Sequence, residues 1–386
     1  MIPLASAIAV KMRFVFWSAA ALVGYSYLGY PLWLWLRSRC SPRPVRRGSS
    51  APSVSAVMVV RNEEAVIAGK LENLLALDYP QDKLEVIVVS DGSNDGTPGI
   101  LNEYAQDSRV RVFNKPASQG KAAGLNDAIR LANGEVLLFT DARQQIEFHA
   151  LRFLIENFAD PGVGAASGQL MLGDPATGET AKGMGLYWRI EKKIRELESA
   201  SGSVAGATGA IYCARRNLLG ASPLPEGTIL DDVLLPMQIV REGRRVIFDS
   251  RARAWDLPDL GDEREFSRKV RTLSGNYQLL QLAPWLVSSE NPIRFEFLSH
   301  KLSRLAVPFA LVALLVSSVF LSQPFYRAAL VLQLAFYVLS LAALVGVRIG
   351  PLSRIADPAR TFVVLNSAAL VAFVNFVVGR KAVWIR

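Results

Sequence analysis

VSAVMVVRNEEAVIAGKLENLLALDYPQDKLEVIVVSDGSNDGT, residues 54–97, decides the fold. Val54–Val60 and Leu84–Ser90 are continuous apolar runs of strand length. A run without alternation belongs to a strand covered on both faces. Glu63–Leu77 between them reads as a helix. The pattern then repeats: a helix at Thr97–Gln106, a strand at Val110–Phe113, a helix at Lys121–Ala132 and a strand at Val136–Thr140. Strands alternating with helices predict an α/β domain with a Rossmann-like, mostly parallel sheet.

The polar residues collect where such a sheet binds ligands, beyond the carboxyl ends of its strands. Arg61-Asn62-Glu63 follows the first strand and Asp91-Gly92-Ser93-Asn94-Asp95-Gly96-Thr97 the second. Asn114-Lys115 follows the third and leads to Gly120-Lys121, and Asp141-Ala142-Arg143 follows the fourth. Each has a plainer reading: a solvated turn for DGSNDGT, a surface lysine for Lys121, a helix N-cap for Asp141. Their shared placement at four strand ends favours one crevice. The first strand is followed by VVRNEEA with no G-x-G-x-x-G, which excludes an ordinary dinucleotide-binding dehydrogenase.

Outward from this domain the composition changes. The 386 residues are 51% apolar and 20% charged, and the apolar excess sits at the two ends. Phe14–Leu36 carries no charge and is long enough to cross a bilayer. A cleaved signal peptide, the alternative, would have a shorter apolar run and a small-residue cleavage site. Ser41–Ser53 (SPRPVRRGSSAPS) is a linker. Leu305–Tyr326, Ala328–Val347 and Thr361–Gly379 are three further uncharged runs, and Asn291–Arg304 suits a membrane interface. The expected organisation is an anchor at 1–40, a linker at 41–53, the catalytic domain at 54–285, an interfacial segment at 286–304 and about three helices in 305–386.

The net charge of +9 owes much to Arg37, Arg39, Arg43, Arg46 and Arg47, and to Arg348, Arg354 and Arg360. Basic clusters beside apolar spans mark the cytoplasmic face. The region Ser41–Pro292 is therefore expected in the cytoplasm of a cell at its inner or plasma membrane. The Arg348–Arg360 loop would also lie inside and the C-terminus outside, against which Arg380, Lys381 and Arg386 speak. No aromatic-interleaved basic motif points to nucleic acid. Cys40 and Cys213 are far apart with no Cys/His cluster, which excludes a disulfide framework or zinc site. His149 and His300 form no clear catalytic constellation.

From Phe148 to Arg271 the pattern is mixed. Helices are expected near Leu151–Phe158 and Tyr187–Ser199, a Gly-rich stretch at Gly202–Gly209 and a strand at Arg245–Phe248.

VMVVRNEE, VIVVSDGSNDGT, KPASQGKAAGLNDAI and LLFTDAR together resemble the membrane-bound branch of family 2 glycosyltransferases, over roughly Val54–Gln281. This inverting family has the GT-A fold and includes cellulose, chitin and hyaluronan synthases. The resemblance implies transfer from a nucleotide-sugar, with UDP the family-level expectation, to a lipid-linked or saccharide acceptor. It implies that Arg61, Glu63 and Asp91 lie on the nucleotide, Lys121 near the diphosphate, and Asp141 on a divalent Mg²⁺ or Mn²⁺. Arg143 stands where the second acid of the D-x-D signature often is, so the ion would be completed by diphosphate and water. A hard cation of this kind takes oxygen ligands and neutralises a leaving diphosphate.

GATGAIYCARR and PEGTILDDVLLPMQIVREG extend the resemblance. They place Gly206, Thr208 and Gly209 at the acceptor and make Asp232 the general base, with Asp231 in place of the usual preceding Glu. A helix-start acid pair complementing the dipole is the plainer reading. Arg268-Lys269-Val270-Arg271-Thr272 stands where processive members have Q-x-x-R-W, or is an interfacial basic helix. On the first reading Arg271 and Arg268 face the diphosphate, and Thr272 replaces the aromatic platform under the acceptor. Trp285 is a substitute platform or a membrane anchor. Addition of one or a few sugars is expected. The alternatives are a processive synthase that exports its polymer and a catalytically inactive sugar-nucleotide sensor, against which the intact Asp91, Asp141 and Asp232 argue.

Overall fold

A computed structural model describes residues 4–174, 179–180, 186–220, 223–257, 262–346 and 353–379. The chain begins with a helix, α1 (Leu4–Gly24), takes a π-helical turn at Tyr25–Gly29 and continues as α2 (Tyr30–Cys40). After the linker come β1 (Val54–Val60), α3 (Ile67–Leu75), β2 (Leu84–Asp91), α4 (Thr97–Tyr104), β3 (Val110–Lys115), α5 (Lys121–Leu131) and β4 (Val136–Phe139). These strands pair in parallel, with Val54 opposite both Leu84 and Val136. Successive residues of a strand face opposite sides. Val57, Val59, Ile87 and Val89 accordingly pack with α5 on one face. Ala56, Met58, Val86 and Val88 meet Ile67, Leu71 and Leu74 of α3 on the other. Two buried faces explain why these strands are apolar throughout. Each large side chain so buried contributes about 1.5–3 kcal/mol.

The second half is less regular. It comprises β5 (Gln145–Ile146), α6 (Ala150–Glu156), β6 (Val163–Asp174), β7 (Glu179–Thr180), α7 (Leu186–Ser201), β8 (Tyr212–Arg215), α8 (Asp231–Arg241), β9 (Arg245–Asp256) and α9 (Asp262–Leu282). The sheet order is β3-β2-β1-β4-β8-β6-β9-β5, with β7 paired to β6. β8 runs antiparallel to both β4 and β6, while β6 and β9 are parallel with two register shifts. The sheet is thus parallel through β1–β4 and mixed beyond. The strand expected at Arg245–Phe248 continues to Asp256.

A short helix, α10 (Arg294–Phe297), runs through a π turn at Leu298–Leu302 into α11 (Ser303–Phe320), followed by α12 (Pro324–Leu344) and α13 (Ser353–Val377). Among the described residues, four helices are long and apolar enough to cross a membrane: Ala7–Cys40, Arg294–Phe320, Pro324–Leu344 and Ile355–Val377. The second begins well before Leu305, within the segment expected to be interfacial. The reason is that Glu296 and His300 are buried against protein, so their polarity does not end the helix. Arg348 and residues 380–386, on which part of the expected topology turned, lie outside the described residues.

The helical region is fastened to the α/β domain by polar contacts. The Tyr30 hydroxyl donates to Glu198 Oε1 at 2.6 Å. His300 lies between Glu198 (2.8 Å) and Glu191 (3.0 Å), and Arg304 donates to Glu191 at 2.6 Å. Arg37 pairs with Glu296. Tyr277 of α9 packs on Phe373 and Phe376 of α13.

Candidate active site

The ends of β1 and β2 are stitched together by their own polar residues. Asn62, in the left-handed region at φ 55°, donates its N–H to Ser93 Oγ (3.1 Å) and accepts from the Asn94 N–H (2.9 Å). The Glu63 N–H donates to Thr97 Oγ1 at 2.9 Å. Asp91, 1% exposed, accepts from the Ser118 hydroxyl (2.6 Å) and from the N–H groups of Gln119 (2.8 Å) and Gly120 (2.9 Å). Through these three bonds its carboxylate shapes the loop that delivers α5.

That loop puts Lys121 at the first position of α5. Its Nζ lies 2.9 Å from Asp141 Oδ1, after β4, and 3.3 Å from Asp231 Oδ1, at the start of α8. Burial alone would weaken this ammonium, but Asp141 and Asp231, with Asp232 behind them, hold its pKa above the ordinary lysine value. Asp231 is buried, and burial raises its pKa against the pull of Lys121. Burial also raises that of Asp232, opposed by Lys121, Lys301 and Arg195 and assisted by Asp141. The Asp232 carboxylate makes no hydrogen bond or ion pair among the described residues.

Asp141 and Asp232 flank Gly209. A Cβ there would lie 3.4 Å from Asp232 Oδ2 and 3.6 Å from Asp141 Oδ2. The missing side chain leaves the space between two carboxylates open. The Gly206–Gly209 loop rests on the base of α8: the Ala207 N–H donates to the Asp232 carbonyl at 2.7 Å, and the Thr208 N–H to Ser167 Oγ at 2.9 Å. Arg195 of α7 donates to the Ala207 carbonyl at 2.9 Å and to the Thr208 hydroxyl.

Lys121, Asp141, Asp231 and Asp232 line a cavity of about 210 Å³ together with Ile229, Leu230, Arg268, Arg271 and Thr272. Six residues singled out from sequence, from four separate segments, therefore share one space. Arg61, Glu63 and Asp91 do not line it. Glu63 sits 3.6 Å from Arg143. Burial raises its pKa, Arg143 opposes this, and Asp141 and Asp95 add to it. Trp285 is also absent from the lining; it packs on the core beneath Arg241, whose guanidinium is 5.0 Å from the ring centre.

A larger cavity, about 580 Å³, lies at the amino ends of the parallel strands, away from the site at their carboxyl ends, among Ser53, Lys83, Glu85, Arg109 and Asn133. Three of its charged residues are committed: Glu85 accepts from Ser55 and Asn133, Arg109 pairs with Asp107, and Lys83 donates to the Ala51 carbonyl. Chemistry rather than size selects the smaller space. Sequence reading missed Arg195, one of four basic residues on the amphipathic α7 with nothing in the sequence to set it apart. It also missed Lys70 of α3, which is fully buried and donates to Thr140 Oγ1 (2.8 Å) and the Gln144 carbonyl (2.6 Å).

Residues 55–220 match the family model described as Glycosyl transferase family 2. A beta-monoglucosyldiacylglycerol synthase of Synechocystis sp. is 29% identical over 192 residues, 49% of this chain and 40% of that protein. A poly-beta-1,6-N-acetyl-D-glucosamine synthase of Staphylococcus epidermidis is 24% identical over 239 residues, 60% of this chain and 56% of that protein. The chain thus spans about half the length of the curated relatives it matches. A mannosyltransferase of Pyrobaculum calidifontis, solved with GDP-Man and Mn²⁺, superposes with a TM-score of 0.71 at 24% identity, covering 95% of this chain and 100% of that one. Taken with the sheet order and the motifs at its strand ends, these matches show that the chain carries a family 2 glycosyltransferase domain in a GT-A fold.

Proposed function

We propose that the chain transfers a sugar, with inversion, from a nucleotide-diphosphate sugar to a hydroxyl of a lipid-linked or saccharide acceptor at a membrane. The carrying observation is the Asp141–Lys121–Asp231–Asp232 cluster opening into one cavity with Arg268 and Arg271. Lys121 and the two arginines supply positive charge where a leaving diphosphate gathers negative charge. Asp232, without an ion-pair partner among the described residues and with raised proton affinity, is placed to take the acceptor hydroxyl's proton. The support for a lipid or saccharide acceptor is the nature of the relatives, one named for a glycolipid and one for a polysaccharide.

A divalent cation fits these residues. The Asp141 side chain is 39% exposed, and the space beside Gly209 is bordered by carboxylate oxygens. Among the described residues no group of three or more His, Cys, Asp or Glu forms a closed metal cage. That suits Mg²⁺ or Mn²⁺, which pair one or two carboxylates with substrate phosphates. Asp141 would hold the ion, which would neutralise the leaving diphosphate. Thr272, lining the cavity where an aromatic platform would serve chain extension, favours addition of one or a few sugars.

The test is a donor screen on the purified chain in detergent with Mg²⁺ or Mn²⁺. Donor is supplied in excess over labelled glycolipid and oligosaccharide acceptors, and products are weighed by mass spectrometry. Short extensions spread over most of the acceptor are expected. Long polymer beside unused acceptor would make the protein processive. No turnover of any nucleotide-sugar would overturn the assignment in favour of a sensor.

A further inference from the structure

Lys70 is a buried cation that the reaction above does not use. It lies on the inward face of α3, fully covered, and no carboxylate lies within ion-pairing distance of it among the described residues. Burial pulls its pKa down to about 7, with Asp141 at longer range acting the other way. Holding a lysine in such a place is unfavourable relative to water, and an apolar side chain would fill the volume without that cost.

What the lysine does there is geometric. Its two acceptors, Thr140 and Gln144, stand on either side of Asp141 in the turn after β4. The Thr140 hydroxyl, accepting from Lys70, donates in turn to the Ala210 carbonyl at 2.9 Å, next to the Gly206–Gly209 loop. The Gln144 amide donates to Asp256 Oδ2 of β9 at 2.9 Å. One ammonium thus ties the helix that follows Glu63 to the turn bearing Asp141 and, through Thr140, to the acceptor side.

We propose that Lys70 is a positioning residue of the donor site: through Thr140 and Gln144 it fixes the turn that aims the Asp141 carboxylate at the metal–diphosphate group. The inference rests on the reading of Asp141 given above. Groups that orient a metal ligand from behind typically change metal affinity by roughly 10–100-fold when removed.

The test uses the full chain in detergent, with UDP and GDP as probes. Binding is measured by calorimetry with and without Mn²⁺, and thermal unfolding is followed in parallel, for the wild type, Lys70→Met, Thr140→Val and Asp141→Ala. Lys70→Met removes the cost of burying a lone charge and leaves the Gln144 carbonyl without its donor, two effects of opposite sign. Lys70→Met is therefore expected to melt close to the wild type while losing roughly 10–100-fold in Mn²⁺-dependent affinity. A purely structural lysine would show the reverse, a lower Tm and an unchanged metal response, and that result overturns the proposal. If Lys70→Met does not fold, Thr140→Val decides: unchanged affinity overturns the tie, and a matching loss supports it. If Asp141→Ala keeps the wild-type metal response, or the wild type binds neither probe, the reading of the donor site has failed and Lys70's role falls with it. A loss in Asp141→Ala with none in Lys70→Met removes only the role of Lys70.

Discussion

Asp232 differs from the acids around it. Asp141 and Asp231 both lean on Lys121, whereas the Asp232 carboxylate has no bonded partner among the described residues and borders the gap left by Gly209. A carboxylate in that state is reactive as a base. Asp232→Asn keeps the shape and removes the proton acceptor, so kcat should fall by about 10²–10⁴ while binding of UDP or GDP with Mn²⁺ stays close to wild type. The pH profile adds a sign. The base is the ionised form, and its pKa lies above the ordinary aspartate value, so activity should fade as pH drops through that raised value. Wild-type turnover in the Asn variant, or an acid limb at the ordinary aspartate pKa, would remove Asp232 from the chemistry. Lys121, Asp141 and Asp232 were legible because each stands at a strand or helix end, whereas Thr272, in the middle of α9, was singled out only by its place in the R-x-x-R-T stretch. Lys70 was not, although Ile67, Lys70, Leu71 and Leu74 share one helical face at i, i+3, i+4 and i+7 spacing. A lysine on that face reads as an interruption, and only its partners at Thr140 and Gln144 reveal its task.

Among the elements, the turn after β2 carries the most constraint. Gly92 has φ 65°, and a Cβ there would lie 2.4 Å from the Ser118 backbone nitrogen. This contact presses the β2 turn against the loop that Asp91 holds through Ser118, Gln119 and Gly120. Gly92→Ala should cost about 1–3 kcal/mol in stability, seen as a lower Tm in detergent, and should also weaken nucleotide binding because Lys121 begins at that loop. An unchanged Tm would show that the two loops are not in register through this glycine. The parallel half was legible nearly residue by residue, since β1 and β2 must be apolar on both faces. The mixed half was not. β6 (VGAASGQLMLGD) is rich in Gly, Ala and Ser, and its strand state comes from pairing along β9. The far end of β9, RARAWD, alternates arginine with apolar residues and lacks the continuous run that marks β1.

At the scale of the whole molecule, the placement of the α/β domain relative to the membrane follows from the arginines after α2. We expect it on the cytoplasmic side. The chain carries its own reporter. Cys40 is exposed at the end of α2, whereas Cys213 is fully buried and burial raises its thiol pKa. A membrane-impermeant thiol reagent should leave intact cells unlabelled and modify Cys40 once the membrane is opened. Labelling of intact cells would invert the topology. The four apolar helices were legible from hydropathy, but the start of the second was not, because His300 and Arg304 are neutralised by Glu191 and Glu198 of the α/β domain.

Those same contacts mean that the protein is not a catalytic head on a detachable stalk. Cutting the chain before Arg294 would strip His300 and Arg304 from two glutamates on α7, and removing α1 and α2 would take the Tyr30 hydroxyl from Glu198. Glu191 and Glu198 would lose their partners together with the cover those helices provide, and the face of α7 that packs on Tyr30 and Leu34 would be opened to water. The helix so disturbed is the one whose Arg195 holds the Gly206–Gly209 loop. A water-soluble truncation is therefore the wrong reagent for studying this chemistry, and the lipid or detergent that surrounds the helices is a variable of the assay in the same sense as pH or metal.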